Sequence, residues 1–345
     1  MGKYRVNQKI EFLTDCIPKP GESYEISPGI LWIRMPLPFK LNHINLWLIE
    51  ETDGWILVDS GINDGRTKFL WKKIIDKVLN KKPIKKLICT HAHPDHIGLG
   101  GWIKKKYKTN LFMTREEWAF GRMFAAGNMD DKESYFEYFT RLGCNPSEIE
   151  EYREHISTAD KLYYKVPYDF FRLRDGSKLM IAGNSWEVIV GLGHSHEQAC
   201  LYCPESNVFI SGDQVLPKIT PTVMVQAYEP QANPLRDFLE SNEKLRRLPE
   251  NVTVLPSHNL PFKGLHERLD QYLAHHMDRL EVVLNACCKP LSGIEVAKVL
   301  FPYDLDMHSK FFAIGETMAH IKYLEYQGKL VRSEDTIGTE RYSTV

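Results

Sequence analysis

The sequence predicts an α+β protein whose strands deliver polar side chains to one edge of a sheet, and three observations lead there. Short aliphatic and β-branched runs, bounded by Gly, Pro, Ser or Asp, recur through the first three quarters of the chain. Four of them run into His or Asp: Leu87-Ile88-Cys89 into His91, Val188-Ile189-Val190 into His194, Val208-Phe209-Ile210 into Asp213, and Val252-Thr253-Val254-Leu255 into His258. Stretches with helical apolar spacing separate these runs and fill the C-terminal quarter. Side chains placed at the ends of neighbouring strands converge in space.

Taken in order, residues 30–33, 44–49 and 55–59 read as strands, and 67–79 as a helix with Phe69, Leu70, Ile74, Ile75 and Val78 on its apolar face. Lysines 72, 73, 77, 81, 82, 85 and 86, then 104, 105, 106 and 108, form two basic runs. They read either as solvated helix faces or as a hold on an anionic substrate such as a CoA or RNA phosphate. Residues 115–167 are polar and aromatic, with helical stretches at 115–126, 132–142 and 146–155. Two readings stay open there: a lid walling a substrate pocket with Phe120 and Met123, or simple packing onto the sandwich. The Pro- and Thr-rich segment 217–224, ending in Met224, reads as a rim of the same pocket. From 266 the pattern turns helical (269–288, 292–300, 312–327), followed by a strand-like segment at 329–332.

The chemistry is concentrated in Thr90-His91-Ala92-His93-Pro94-Asp95-His96-Ile97-Gly98. Imidazole nitrogen and carboxylate oxygen together suit Zn²⁺ or Fe²⁺ better than Mg²⁺ or Ca²⁺. Four such groups in six residues cannot all reach one ion without straining a tight loop. A loop that aims His91 and His93 one way and Asp95 and His96 the other suggests two adjacent ions, completed by donors from downstream.

With Val58-Asp59-Ser60-Gly61, residues 90–98, Gly193-His194-Ser195, Gly212-Asp213 and Ser257-His258, the chain resembles the metallo-β-lactamase superfamily over roughly residues 28–265. The resemblance implies a four-layer αββα sandwich over 1–265 with a helical insert at about 115–167. It also implies a small C-terminal helical, winged-helix-like domain over 266–345. It further implies that His91, His93 and His194 hold a first metal, that Asp95, His96 and His258 hold a second, and that Asp213 bridges them. Asp59 would orient ligands from beneath. Two divalent ions, zinc by expectation with iron or manganese also accepted by this donor set, would hold a bridging water and lower its pKa from ~15.7 towards neutrality. Asp213 and Asp95 are the catalytic candidates, the first through the shared ions, the second as a proton relay to the leaving group. The third motif departs from the family, with His196 where Pro is common and Gln198 in place of a second His. His196 reads as a polar wall residue.

The bridging Asp and the lack of a Cys among the candidate ligands resemble the branch with glyoxalase II, lactonases, tRNase Z-like nucleases and thioesterases. The expected reaction is therefore hydrolysis of a carbonyl ester, an acyl thioester or lactone. Two alternatives are a nucleic-acid phosphodiesterase and a non-hydrolytic di-iron protein. Composition weighs against nucleic acid. The net charge is −1, and residues 275–345 hold eight Lys/Arg against ten Asp/Glu, a poor surface for phosphates. The tail is expected to brace the active site or to form a homodimer interface. The 345 residues, 43% hydrophobic, can bury a proper core. No apolar run of about 18 residues suggests a membrane span, and residues 1–20 lack the apolar centre of a signal peptide. Seven cysteines without a framework fit reduced thiols in a cytoplasm. Cys200 and Cys203, three apart in an apolar run, read as strand residues facing opposite ways.

Overall fold

A computed structural model describes residues 10–127, 132–156 and 159–345; the first nine residues of the segment read as lacking a signal peptide lie outside the described residues. The first half of the chain runs β1 (Glu11–Phe12), β2 (Ser23–Ser27), β3 (Ile30–Pro36), β4 (His43–Glu51), β5 (Gly54–Val58), α1 (Gly65–Lys77), β6 (Ile84–Ile88), α2 (Pro94–Ile97), α3 (Gly100–Tyr107) and β7 (Asn110–Met113). The insert supplies α4 (Arg115–Ala125), α5 (Lys132–Arg141) and α6 (Pro146–Ile156). Next come β8 (Phe171–Arg172), β9 (Lys178–Ile181), β10 (Asn184–Gly191), β11 (Gln198–Cys203), β12 (Val208–Gly212), α7 (Pro234–Leu245), β13 (Thr253–Pro256) and β14 (Phe262–Lys263). The chain closes with α8 (Leu265–Ala286), α9 (Gly293–Leu300), α10 (Met307–Tyr326) and an antiparallel pair, β15 (Leu330–Glu334) and β16 (Glu340–Thr344).

Two seven-stranded sheets, β2-β3-β4-β5-β6-β7-β8 and β1-β14-β13-β12-β11-β10-β9, pack face to face. Strand periodicity sorts their side chains into layers. Trp32, Trp47, Ile56, Val58 and Ile88 meet Val188, Leu201, Ile210 and Leu255 between the sheets. Leu46, Leu48, Leu57 and Leu87 point outward against Leu70, Trp71 and Ile74 of α1 and Ile103 of α3. On the other side, Ile189, Phe209 and Val254 face Phe238 of α7, Leu269 and Tyr272 of α8 and Met318 of α10. The order is helix, sheet, sheet, helix, the four layers that the family resemblance implies. Cys200 belongs to the outer cluster and Cys203 to the inner one, so the two sulfurs do face opposite ways.

Strand direction brings the functional ends together. β5, β6 and β7 are mutually parallel, so Asp59 after β5 and the 90–96 loop after β6 leave the same edge. β12 and β13 are parallel, and β10 runs with them because two antiparallel pairings separate it from β12. Hydrogen bonds from Asn45 N to Ser257 O (2.7 Å) and from Ala199 N to Thr90 O (2.8 Å) lock one sheet's edge to the other's.

The C-terminal helices share the outer core of the second sheet, and α10 grips the loop after β12. Val225 N donates to Gly315 O (3.1 Å), Tyr326 Oη to Gln231 O (2.8 Å), and the buried Lys322 Nζ to Gln231 Oε1 (3.0 Å). Gly315 is needed for close approach, since a Cβ there would lie 2.8 Å from Met224 Cβ. No helix among the described residues is long and apolar enough to cross a membrane.

Between α8 and α10 lies a buried histidine pair. His320 Nδ1 donates to Glu316 O (2.7 Å), so its Nε2 accepts from His276 Nδ1, 3.1 Å away. That bond requires the His320 ring to be neutral, and burial disfavours a charge on either ring. Burial draws His320 down to about 4, and burial with the neighbouring His320 holds His276 well below the ordinary 6.5. Unfolded, both rings titrate near 6.5. Below that pH the unfolded chain binds protons that the folded one refuses, so this contribution is intact above about pH 6.5 and is lost as the pH falls towards 4. A His276→Gln/His320→Gln double variant is expected to show a shallower fall of Tm between pH 6.5 and 4 than the parent; parallel thermal-melt profiles would contradict this.

Candidate metal centre

The seven candidate ligands form two buried clusters, His91, His93, His194 and Asp213 in one, Asp95, His96 and His258 in the other, with donor atoms within 4.8 Å of one another in each. Asp213 lies between them. Its Oδ2 is 3.4 Å from His194 Nε2 and 3.6 Å from His96 Nε2, and its Oδ1 is 3.4 Å from His258 Nε2. Asp95 Oδ2 is 3.4 Å from His258 Nε2 and 3.7 Å from His96 Nε2. These separations are too long for good hydrogen bonds. They match the roughly 3.4 Å between donors about 2.1 Å from one tetrahedral ion. His91 Nε2 and His93 Nδ1 sit closer, at 2.8 Å.

The outer nitrogens explain why the inner ones are bare. His96 Nδ1 donates to Asp59 Oδ2 (2.8 Å), His194 Nδ1 to Thr222 O (2.8 Å) and His258 Nδ1 to His43 O (2.7 Å). The single hydroxyl proton of Thr90 goes to the Asp59 carboxylate, so towards His91 Nδ1 (3.0 Å) the oxygen accepts. With a cation in place of the extra proton, the rings of His91, His96, His194 and His258 would therefore keep a proton on Nδ1 and turn the Nε2 lone pair inward, whereas His93 turns its Nδ1 towards His91 Nε2. Among the described residues, His96 Nε2, His194 Nε2 and Asp213 Oδ1 are buried without a hydrogen-bond partner. Leaving one such atom unsatisfied costs about 1–3 kcal/mol; three facing one another fit divalent cations.

Electrostatics follow the same division. Burial, reinforced by neighbouring imidazoles, holds His91 well below its usual value and His93 at about 3. For His258 burial opposes the charge, but Asp213 and Asp95 outweigh it and raise the ring to about 10; Asp95, Asp59 and Asp213 likewise raise His96. Burial would raise Asp95, yet His96 and His258 bring it down to about 2, and Asp213 falls well below the carboxylate range for the same reason. The second cluster thus holds positive charge against two carboxylates, the arrangement a cation would replace.

Local sequence accounts for the placements. Asp59 sits at φ 62°, a left-handed conformation that Asp tolerates, and reaches back to Thr90 N (2.8 Å). Gly193, at φ 93°, approaches α7 so closely that a Cβ would meet Phe238 N at 2.6 Å. Gln198 accepts from Asp213 N (3.3 Å) and donates to Ser211 O (3.2 Å), fixing the turn that carries Asp213. His196 packs at a tilt against Phe120 (ring centroids 4.6 Å apart) and its Nε2 lies 3.3 Å from Tyr228 Oη. It lines an open groove of about 480 Å³ beside His194 with Met224, Gln226, Glu229, Arg236 and Tyr326. Phe120 backs that wall through His196, while Met123 is 41% exposed and is not among the residues lining the groove. On the lysine runs, Lys82, Lys85 and Lys104 are ion-paired with Glu50, Asp53 and Asp169, as on a solvated face.

Sequence reading missed His43, Thr90, Thr222 and Glu117. The first three act largely through backbone or hydroxyl groups that leave no pattern. Glu117 had a signal: with Phe120, Gly121 and Phe124 it lies on one helical face, a carboxylate on the packed stripe.

A two-sheet sandwich with these donors at one edge defines a metal-dependent hydrolase. The sequence pattern described as the metallo-beta-lactamase superfamily matches residues 40–258, and the chain belongs to that superfamily. A second pattern, the metallo-beta-lactamase-like C-terminal domain, matches residues 280–345. The chain is 22% identical over 309 residues, 86% of its length and 92% of that protein's, to a probable metallo-hydrolase, YqjP, of Bacillus subtilis. It is 25% identical over 248 residues to a linear primary-alkylsulfatase of a Pseudomonas species, of which it spans 45%. In structure it is similar to a beta-lactamase domain protein from Burkholderia ambifaria (37% identity, TM-score 0.91, 97% of this chain and 98% of that one). A metallo-beta-lactamase family protein from Thermus thermophilus is also similar (29% identity, TM-score 0.78, 92% and 99%).

Chelation is expected to leave the far-ultraviolet circular dichroism unchanged and to lower Tm. Zinc at 100 times its Kd should restore about 2.7 kcal/mol. His258→Ala should retain the cation of the other cluster and lose its own, read by elemental analysis; an unaltered metal content would contradict the assignment.

Proposed function

We propose that this hydrolase cleaves a carbonyl ester, an acyl thioester or lactone, with His91, His93 and His194 holding one divalent cation, Asp95, His96 and His258 a second, and Asp213 shared. The observation that carries the metal-dependent part of this reading is the set of partnerless buried atoms, His96 Nε2, His194 Nε2 and Asp213 Oδ1; the choice of a carbonyl ester is argued from the groove beside them. Zinc suits the nitrogen and oxygen donors, as do iron and manganese. Cations held there supply acidified water at neutral pH and charge stabilisation for the oxygen of the attacked ester.

The chain's own groups do the rest. Asp59 and Thr90 keep His91 and His96 in the tautomer that leaves Nε2 free. Asp95 is the less buried of the two catalytic carboxylates, with its side chain 17% exposed against 9% for Asp213, and is placed to pass a proton to the leaving group. His196, Tyr228 and Phe120 form an aromatic wall beside His194, and Met224 adds apolar surface. Farther along the groove, Gln226, Glu229, Gln231, Asn233 and Arg236 offer hydrogen bonds to a polar arm of a small-molecule substrate. That lining, together with the acidic C-terminal segment, weighs against nucleic acid. The three C-terminal helices and the β15–β16 pair, in winged-helix order, act as a brace on the loop that carries Thr222 and Met224.

The metal-replete protein should turn over an acyl-CoA or a homoserine lactone. A long-chain alkyl sulfate, the substrate class named for the Pseudomonas relative, bis-p-nitrophenyl phosphate and single-stranded RNA should be poor substrates. Activity on the phosphodiesters alone, or on the sulfate alone, would overturn the choice of ester. Asp95→Asn should lower kcat by about 100-fold or more, with a smaller loss for substrates whose leaving group needs no proton; an equal loss across leaving groups would remove the proton-relay role.

A further inference from the structure

Glu117 is fully buried, 0% exposed, and comes from α4 of the insert, outside every motif described above. A buried carboxylate without a counter-charge is costly unless hydrogen bonds compensate it. Its oxygens accept three: Ala92 N at 2.8 Å on Oε2, and Ser195 Oγ at 2.5 Å and Glu197 N at 2.8 Å on Oε1. Ala92 separates His91 from His93, and Ser195 follows His194. One side chain thus joins the two loops that carry the three imidazoles of the first cluster.

The attachment is reciprocal. Thr114 Oγ1 donates to Glu197 O (2.7 Å) and Glu116 N to Glu197 Oε2 (3.2 Å), so the loop after His194 is also bonded to the N-terminal turn of α4. The peptide on the other side of Ala92 is held too, because Tyr163 Oη donates to Ala92 O (3.1 Å). Both groups come from the insert. With the His91–Ala92 and Ala92–His93 peptides both bonded, the directions in which His91 and His93 leave the backbone are restrained as well.

We propose that Glu117 is a positioning residue for the first cation: it clasps the His91–His93 loop to the His194 loop and presets the spacing of the three imidazoles. The inference rests on the reading of these residues as metal ligands. It also gives the insert a role distinct from closing over substrate. A glutamine at 117 keeps the volume but has one acceptor oxygen, so its NH₂ must face either Ala92 N–H or Glu197 N–H. One loop is released whichever way it turns.

The test is metal binding by the full-length protein, with zinc affinity at each cluster measured by chelator competition and cobalt(II) absorption spectra. Parent protein should take up two ions. Glu117→Gln should weaken one of them by about 10- to 100-fold, the range for groups that orient metal ligands, and leave the other within about twofold. Tyr163→Phe, which keeps the ring, should weaken the same ion to a smaller degree. Val283→Ala, a buried substitution on α8 far along the chain from any ligand, controls for lost stability and should leave both affinities unchanged. Equal weakening of both ions, or none, in Glu117→Gln overturns the proposal. If the parent itself takes up no ion, the metal centre fails and the proposal with it; a defect confined to the variant leaves the centre standing. Glu117→Asp serves as the second variant if the glutamine chain does not fold: it keeps two acceptor oxygens one methylene short, and parent-like affinities at both clusters would again overturn the idea.

Discussion

The interaction on which the rest depends is the fixing of four of the five candidate imidazoles by an acceptor on the outer side. Asp59, Thr90, Thr222 O and His43 O accept from the Nδ1 of His96, His91, His194 and His258, which turns the Nε2 of each of these rings inward. A free histidine would divide its population between tautomers and rotamers. Here that choice is made by the surrounding fold before any cation arrives, so less ordering remains to oppose binding. The outer acceptors come from β4, from the ends of β5 and β6, and from the loop after β12, so the centre requires nearly the whole sandwich to be in place.

Strand direction makes that possible. Parallel neighbours β5 and β6, and β12 and β13, release their C-terminal ends at one edge. The two sheets are bonded to each other there through Asn45–Ser257 and Ala199–Thr90. Such an edge has little room to relax, because Trp32, Trp47, Val58, Ile210 and Leu255 fill the space between the sheets behind it. The helical layers then act at a distance. On one side α10 presses on the loop that holds Thr222, with Gly315 permitting the close approach. On the other, α4 reaches in with Glu117. The insert and the C-terminal helices, which bear none of the candidate ligands, each end one residue or one hydrogen bond away from a ligand loop.

The groove beside His194 draws on the same parts. Its lining residue His196 packs on Phe120 of α4 and on Tyr228 behind it, and its polar far end is built from the start of α7 and the end of α10. Within a single helical turn, α4 thus packs Phe120 behind the groove residue His196 and bonds Glu117 to Ala92, Ser195 and Glu197.

Much of this was legible in the chain itself. The His-x-His-x-Asp-His run and the three later strand ends named the seven candidate ligands, because ligand chemistry needs particular side chains and strands leave a two-residue pattern. Strand and helix positions were equally local matters, as were the opposite faces of Cys200 and Cys203. Tertiary structure alone decided what lies behind the ligands. His43 meets His258 from 215 positions away and Glu117 meets Ala92 and Glu197 from 25 and 80, and partners so far apart acquire a distance only when the sheets pack. Backbone oxygens such as Thr222 O and His43 O have no identity in a sequence at all. Which residue faces the groove was likewise beyond periodicity: Met224 lines it and Met123 does not, since the direction of a side chain depends on what its helix or loop is packed against.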